Sequence, residues 1–298
     1  MTNKRCGFIS LTGRPNVGKS TLLNQILGQK LAITSPKPQT TRHRILGIKT
    51  KDNTQFLYVD TPGIHGGSKN AMNKMMNRTA SRAVADVDIV IFVVDATRWS
   101  QEDQMVVDKI CHDEFPVIIA LNKVDKIDKK DELLAIISKL HEKLPKAEII
   151  PLSAKNGEGV EHLEAVVKEN LPESDFFFPE EWVTDRSDKF LTSELIREKL
   201  MRSLEKELPY HLTVEIEQFK TEKKVLHIGA IIWVERDSQK AIVIGKKGEN
   251  LKKIGSQART DLERMFNQKI FLQLWVKVKS GWSDDLRALV KLGIKEDE

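Results

Sequence analysis

Lys19 and Ser20 close the run Gly13-Arg14-Pro15-Asn16-Val17-Gly18-Lys19-Ser20, a Gly-x-x-x-x-Gly-Lys-Ser loop. These residue types at this spacing suit one task, the cradling of phosphates. Glycines let the chain bend so that successive N–H groups point inward at anionic oxygens. The lysine is placed to reach β- and γ-phosphates, and the serine hydroxyl to ligate Mg²⁺. An apolar run, Gly7 to Thr12, precedes the loop and reads as a strand; Ser20 to Leu27 follows and reads as a helix. The positive end of that helix adds to the same anion site. Residues 13–20 and Thr21 are therefore the candidate contacts to a nucleoside triphosphate.

Three further runs stand at the C-terminal ends of expected strands, where ligands sit in open α/β sheets. Asp60-Thr61-Pro62-Gly63 offers a carboxylate to Mg²⁺ through water and, at Gly63, an N–H to sense the γ-phosphate. Asn122-Lys123-Val124-Asp125 offers Asp125, whose two oxygens can accept from guanine N1–H and its exocyclic amine together. Adenine would leave that carboxylate unpaired, a mismatch that supports discrimination on the order of 10⁴-fold. Ser153-Ala154-Lys155 can present a backbone N–H to the guanine carbonyl. Between the phosphate loop and Asp60 lies Thr34-Ser35-Pro36-Lys37-Pro38-Gln39-Thr40-Thr41-Arg42, whose prolines and polar residues read as a mobile loop. A threonine there is expected to close on Mg²⁺ in the triphosphate state. Thr41 is favoured over Thr40, but spacing leaves the choice open.

The chain that positions these groups has 298 residues, 40% hydrophobic and 31% charged, enough for about two globular domains. Cys6 and Cys111 match no metal or redox spacing and point to a reducing compartment. The start runs straight into the first strand without a secretory pattern, and the longest fully apolar stretch, Ile89 to Val94, is too short to span a bilayer. The expectation is a soluble, cytoplasmic protein, at most attached to a membrane surface.

Strand patterns at 7–12, 44–50, 54–60, 88–95, 116–121 and 147–152 alternate with helical ones near 18–29, 73–86, 100–113, 129–143 and 159–170. The polar turn Lys51-Asp52-Asn53 makes 44–50 and 54–60 an antiparallel hairpin. The other strands are apolar and separated by helices, as in a parallel sheet covered on both faces. An α/β P-loop NTPase domain over residues 1–171 follows, mostly parallel with one antiparallel edge strand. A proline-bearing acidic linker spans 172–189, and its aromatics are expected to pack on a domain. An α+β domain covers 190–282 and a tail 283–298. Its order is helix (191–207, ended by Pro209), strands at 212–219 and 225–235, helices at 238–244 and 249–266, and a strand at 270–279.

Residues 173–298 carry 23 basic and 23 acidic residues, so any polyanion site there must be a local patch. Arg236 to Lys269 supplies one, with nine basic and four acidic residues. At its centre Gly245-Lys246-Lys247-Gly248 sits between two helices. The glycines permit close backbone approach to a nucleic-acid strand, and the lysines neutralise phosphates. Ile244, Lys252, Lys253, Lys277 and Arg259 extend this candidate RNA site; for the three on the second helix, a solvated face is an equal alternative. Most of Ile242, Val243, Ile244 and Leu251 are expected in the core.

Together, Gly13–Ser20, Pro38–Arg42, Asp60–Gly63 and Asn122–Asp125 resemble the translation-factor-related GTPases. With Val243–Gly248 and Leu274–Trp282 added, the chain resembles the Era family of bacterial GTPases over nearly its whole length. That resemblance implies a GTPase domain joined to a type II KH domain, a class that clamps about four unpaired nucleotides at its Gly-x-x-Gly turn. It implies binding to the 3′ end of small-subunit ribosomal RNA, assistance to 30S maturation and peripheral association with the inner membrane; a monomer is expected. Where well-known GTPases have a water-positioning glutamine, this chain has Ile64, and the next polar residue, His65, reads as a solvated loop histidine rather than a base. Catalysis then falls to Lys19, Asn16, Thr41 and Gly63 with Mg²⁺. Related GTPases with an apolar residue in this place hold K⁺ with an asparagine that Asn16 matches, so K⁺ joins GTP/GDP and Mg²⁺ as a candidate cofactor. Slow turnover is expected, on the order of 10⁻⁴ to 10⁻² s⁻¹. The alternatives are a small-molecule phosphotransferase, which Asn122–Asp125 argues against, and a GTPase whose C-terminal domain binds protein or membrane lipid.

Overall fold

Apolar, β-branched segments that cannot face water on either side set the architecture of the first half. The computed structural model describes residues 4–37, 40–62, 87–110, 115–205 and 208–282. Six strands, β1 (Arg5–Thr12), β2 (Ile45–Lys51), β3 (Thr54–Asp60), β4 (Ile89–Asp95), β5 (Val117–Asn122) and β6 (Glu148–Leu152), form one sheet in the order β2-β3-β1-β4-β5-β6. Among the described residues, only the β2–β3 pair of this sheet is antiparallel. β3 and β4 are buried along their whole length, as the sequence pattern predicts for strands covered on both faces. Helices α1 (Lys19–Leu27) and α4 (Val160–Asn170) cover one face through Leu22, Ile26, Leu163 and Val167. On the other, α2 (Gln101–Ile110) and α3 (Lys130–Lys143) pack Val106, Ile110 and Leu140 against Val90, Phe92 and Val94. The expected helix at 73–86 lies outside the described residues.

The chain order turns at β1, which feeds neighbours on both sides, so the loop leaving its carboxyl end faces a crevice. Beyond α4, residues 172–187 run back along the β2–β3 edge. Gln55 accepts from the Phe177 and Phe178 N–H groups, at 3.0 Å each, and Phe176 and Phe178 pack on Cys6, Ile48 and Leu57. These aromatics are packing residues, as expected.

The second half is a three-stranded sheet, β7 (Leu212–Glu222), β8 (Val225–Val234) and β9 (Lys269–Val278), with β8 central and parallel to β9. Helices α5 (Asp188–Ser203), α6 (Asp237–Ile244) and α7 (Glu249–Phe266) lie on one face of it. Leu195, Leu200, Val214, Ile228, Ile254 and Leu262 fill the space between. α5 begins three residues before the apolar periodicity does, because Ser187 caps it by accepting from the Phe190 N–H at 3.3 Å.

Candidate functional site

Gly18 has a φ of +110°, and a Cβ there would stand 2.2 Å from Asn122 Nδ2. Only glycine fits between the phosphate loop and the guanine loop. That closeness is used: Asn122 donates to the Val17 carbonyl at 2.7 Å while its Oδ1 accepts from the Lys123 and Ala154 N–H groups at 2.8 and 2.9 Å. One buried amide thus ties three of the four predicted motifs together. Asp125 projects into solvent and accepts from Ser153 Oγ at 2.6 Å, and Lys155 is exposed beside it.

Lys19 arches over its own loop, donating to the Gly13 and Arg14 carbonyls at 2.8 and 2.9 Å. Burial lowers its pKa to about 8, against the pull of Asp60. Ser20 Oγ donates to Asp60 Oδ2 at 2.7 Å and lies 2.9 Å from Thr41 Oγ1. Thr40 turns its hydroxyl the other way, onto the Lys37 carbonyl at 2.6 Å. Thr41 is the threonine that meets Ser20. Asp60 Oδ1 is buried without a hydrogen-bond partner, and burial raises this carboxyl to about 6, opposed by Lys19 and Ser20. Two hydroxyls and an orphaned carboxylate oxygen are a hard-oxygen donor set that fits Mg²⁺. Thr61 is buried behind Asp60, with its hydroxyl 3.3 Å from the Leu11 carbonyl. Pro62 ends the described segment, and Gly63, Ile64 and His65 lie outside it.

Asn16 has a φ of +63° and its Nδ2 donates to the Pro36 carbonyl at 2.9 Å, at the rim of a cleft also lined by Lys19, Ser20, Thr34, Thr41 and Lys123. Two residues outside the predicted set brace this cleft. Fully buried Asp103 accepts from Arg14 Nε at 2.9 Å and caps α2 by accepting from Ser100 N–H at 2.8 Å. Asp95 accepts from Lys123 Nζ at 2.6 Å; burial pushes this carboxyl up, but Lys123 and Thr97 more than offset that and hold it below its ordinary value. The Ser-x-x-Asp spacing at 100–103 is a helix-start signal that could have found Asp103.

In the second half, Gly245 (φ +75°), Lys247 (φ +51°) and Gly248 (φ +80°) turn the chain sharply from α6 into α7, and Lys246 and Lys247 stand in solvent. A groove beside the turn is lined by Leu251, Lys252, Gly255, Arg259, Leu272 and Leu274. Gly255, which sequence reasoning passed over, keeps it wide: a Cβ there would press on Leu274 at 3.3 Å. Of the apolar quartet, Val243 is buried, Ile244 and Leu251 pack partly on the core, and Ile242 is 57% exposed. Two predicted lysines do not join the groove. Strand alternation puts Lys277 on the opposite face from Leu272 and Leu274, where it pairs with Glu217 at 3.5 Å. Lys253, one residue round the helix from Lys252, lines a separate cleft with Lys199 and Arg202.

The chain matches the family model of 50S ribosome-binding GTPases over residues 8–123 and that of KH domains over 207–283. It is 60% identical to the GTPase Era of Pseudomonas fluorescens (strain Pf0-1) across 97% of this chain and 96% of that one. The same identity holds with the GTPase Era of Pseudomonas putida (strain W619) over the same shares. Among solved structures it resembles an Aquifex aeolicus Era variant bound to GDP·AlF₄⁻, at 36% identity, with a TM-score of 0.94 over 97% of this chain and 99% of the other. It also resembles Era in complex with MgGDPNP and nucleotides 1506–1542 of 16S ribosomal RNA, at 37% identity and TM-score 0.94 over 98% and 99%.

Proposed function

The chain belongs to the Era family of GTPases, and from that premise we propose that it is a switch that binds the 3′ end of small-subunit ribosomal RNA and assists 30S subunit maturation. Residues 1–171 hold and hydrolyse GTP, 172–189 link the halves, and the KH domain at 190–282 takes the RNA. The observation that carries the RNA half is the Gly245–Gly248 turn, with two solvent-facing lysines at the mouth of a groove floored by Leu272 and Leu274. Such a turn grips the backbone while the apolar floor takes unstacked bases. Ile244, Gly245, Lys246, Lys247, Gly248 and Lys252 make the clamp.

Hydrolysis rests on placement and charge. Lys19 and the loop N–H groups bind the phosphates; Asp125 with the 153–155 turn selects guanine. Ser20, Thr41 and Asp60, the last through water, hold Mg²⁺, which when bound neutralises the phosphate oxygens. Asn16 and the Pro36 carbonyl at the cleft rim are oxygen donors suited to K⁺, whose charge serves where no glutamine stands. Comparing turnover in KCl and NaCl at equal ionic strength tests that role: faster hydrolysis in KCl is expected, and equal rates would sink it.

No helix among the described residues is long and apolar enough to cross a membrane. A monomeric cytoplasmic protein with peripheral attachment to the inner membrane is the proposed setting. Binding of a 3′-terminal 16S fragment, set beside vesicles of inner-membrane lipid, separates the RNA reading from its rival. Salt-sensitive retention of the RNA is expected; retention by vesicles alone would reject RNA as the ligand.

A further inference from the structure

The stretch carrying Thr41 is gripped from the other half of the molecule. Arg197 on α5 is 2% exposed and forks onto Glu194 through Nε and Nη2, at 2.7 and 2.6 Å. Its Nη2 also donates to the Thr40 carbonyl at 2.5 Å. On the far side of Thr41, buried Arg42 donates to the carbonyls of Leu212, Pro209 and Tyr210 at 2.8, 3.1 and 2.9 Å. Burial and Arg197 lower the Arg42 guanidinium to about 9 while Glu194 opposes them, so it stays charged at neutral pH. Ahead of Thr41, Lys37 Nζ donates to Met201 O at 2.7 Å and to Leu204 O at the C-terminal end of α5. Arg202 reaches the Thr34 carbonyl at 2.9 Å.

Arg197 Nε and Nη2 and both Nη atoms of Arg42 are hydrogen-bonded, while Arg197 Nη1 and Arg42 Nε are buried without a partner. Displacing either buried guanidinium is still costly, because it would leave further charge and carbonyls unpaired. The Thr40 carbonyl on one side of Thr41 and the Arg42 side chain on the other are therefore held by KH-domain groups while Thr41 Oγ1 sits 2.9 Å from Ser20 Oγ. We propose that Arg197 is a positioning residue for GTP hydrolysis: by holding the Thr40 carbonyl it sets Thr41 against Ser20 and Asp60. This rests on the reading of Thr41 as a Mg²⁺ ligand. Displacing a group by about 1 Å can cost up to 10²-fold in rate, and a hydroxyl released from its backbone anchor loses placement on that scale.

The test uses the full chain and measures single-turnover GTP hydrolysis against Mg²⁺ concentration, with GDP affinity alongside. Replacing the buried pair together (Glu194→Met with Arg197→Met) avoids an uncompensated charge. The expected result is about a tenfold lower rate at saturating Mg²⁺ and a higher half-saturating Mg²⁺, with GDP affinity unchanged. Arg197→Lys keeps the buried charge paired with Glu194 but lacks the planar fork, so an intermediate loss is expected. Parent-like rate and Mg²⁺ dependence in both variants overturns the proposal; so does a matching fall in GDP affinity, the mark of general damage. Should the double variant not fold, Arg197→Lys alone decides, by the same criteria. Thr41→Ala is the control: if it leaves hydrolysis intact, the Mg²⁺ reading fails, whereas loss in Thr41→Ala with no loss in the Arg197 variants removes only the positioning role.

Discussion

Asp60 is held in a way that costs stability and suits a metal. Its Oδ1 is buried without a partner, and its pKa is raised to about 6 by burial. A carboxyl whose folded pKa exceeds its unfolded value keeps a proton that the unfolded chain has released. Stability from this group therefore falls as pH rises from about 4 to about 6. A shift of about two units corresponds to roughly 3 kcal/mol. Asp60→Asn does not titrate, so in Mg²⁺-free buffer it should gain roughly 3 kcal/mol on the parent between pH 4 and pH 7 while losing hydrolysis. Denaturant unfolding at the two pH values checks this; a constant difference would mean that Asp60 is not strained. Asp125 carries base choice. Asparagine there would offer one donor and one acceptor, which matches xanthine, whose C2 carries oxygen in place of the amine. Asp125→Asn should turn preference from GTP to xanthosine triphosphate, read by competition for binding; unchanged GTP preference would mean that another group reads the base. The roles of Lys19, Ser20 and Asp125 could be read from spacing because each belongs to a contiguous motif. The Ser-x-x-Asp spacing marks Asp103 as a helix start, but neither its tie to Arg14, 89 residues away, nor that of Arg197 to Thr40, 157 residues away, could be read from spacing.

At the scale of elements, periodicity carried the architecture and long-range contacts set the details. Apolar β-branched runs located all six strands of the first sheet, and the polar turn at 51–53 gave the one antiparallel edge. Spacing alone could not choose between Thr40 and Thr41, since both face a loop; their hydroxyl partners separate them. Nor could composition sort the lysines of the second half. Lys252 and Lys253 look alike in sequence, yet the helical turn sends one to the groove and the other to a different cleft. Gly248 adopts a φ of +80° with open space where a Cβ would go, as a turn meeting a ligand backbone would need. Gly248→Asp strains that turn and brings a negative charge to the phosphates. RNA affinity should fall at least about tenfold with GTP hydrolysis retained, by gel shift and phosphate release. Parent-like RNA binding would remove the turn from the site.

Across the whole molecule, the two halves share buried polar contacts. Beside those at Thr40 and Arg42, Lys30 of the first half pairs with fully buried Glu198 at 2.8 Å and with Asp261 of α7 at 3.7 Å. α5 is thus bonded both to the stretch around Thr41 and, through Lys199 and Asp261, to the helix that starts at the Gly245–Gly248 turn. Halves joined this way should unfold together, as one calorimetric transition in low salt; two resolved transitions would mean that the contacts are too weak to couple them. If the nucleotide, through the stretch around Thr41, raises RNA affinity, RNA raises GTP affinity by the same factor, because coupling between binding sites is reciprocal. The affinity of the full chain for a 3′-terminal 16S fragment, measured by fluorescence anisotropy with a non-hydrolysable GTP analogue and Mg²⁺ and again with GDP, reads that coupling. Tighter RNA binding in the triphosphate state is the expected result; equal affinity in the two states would contradict an RNA-binding switch.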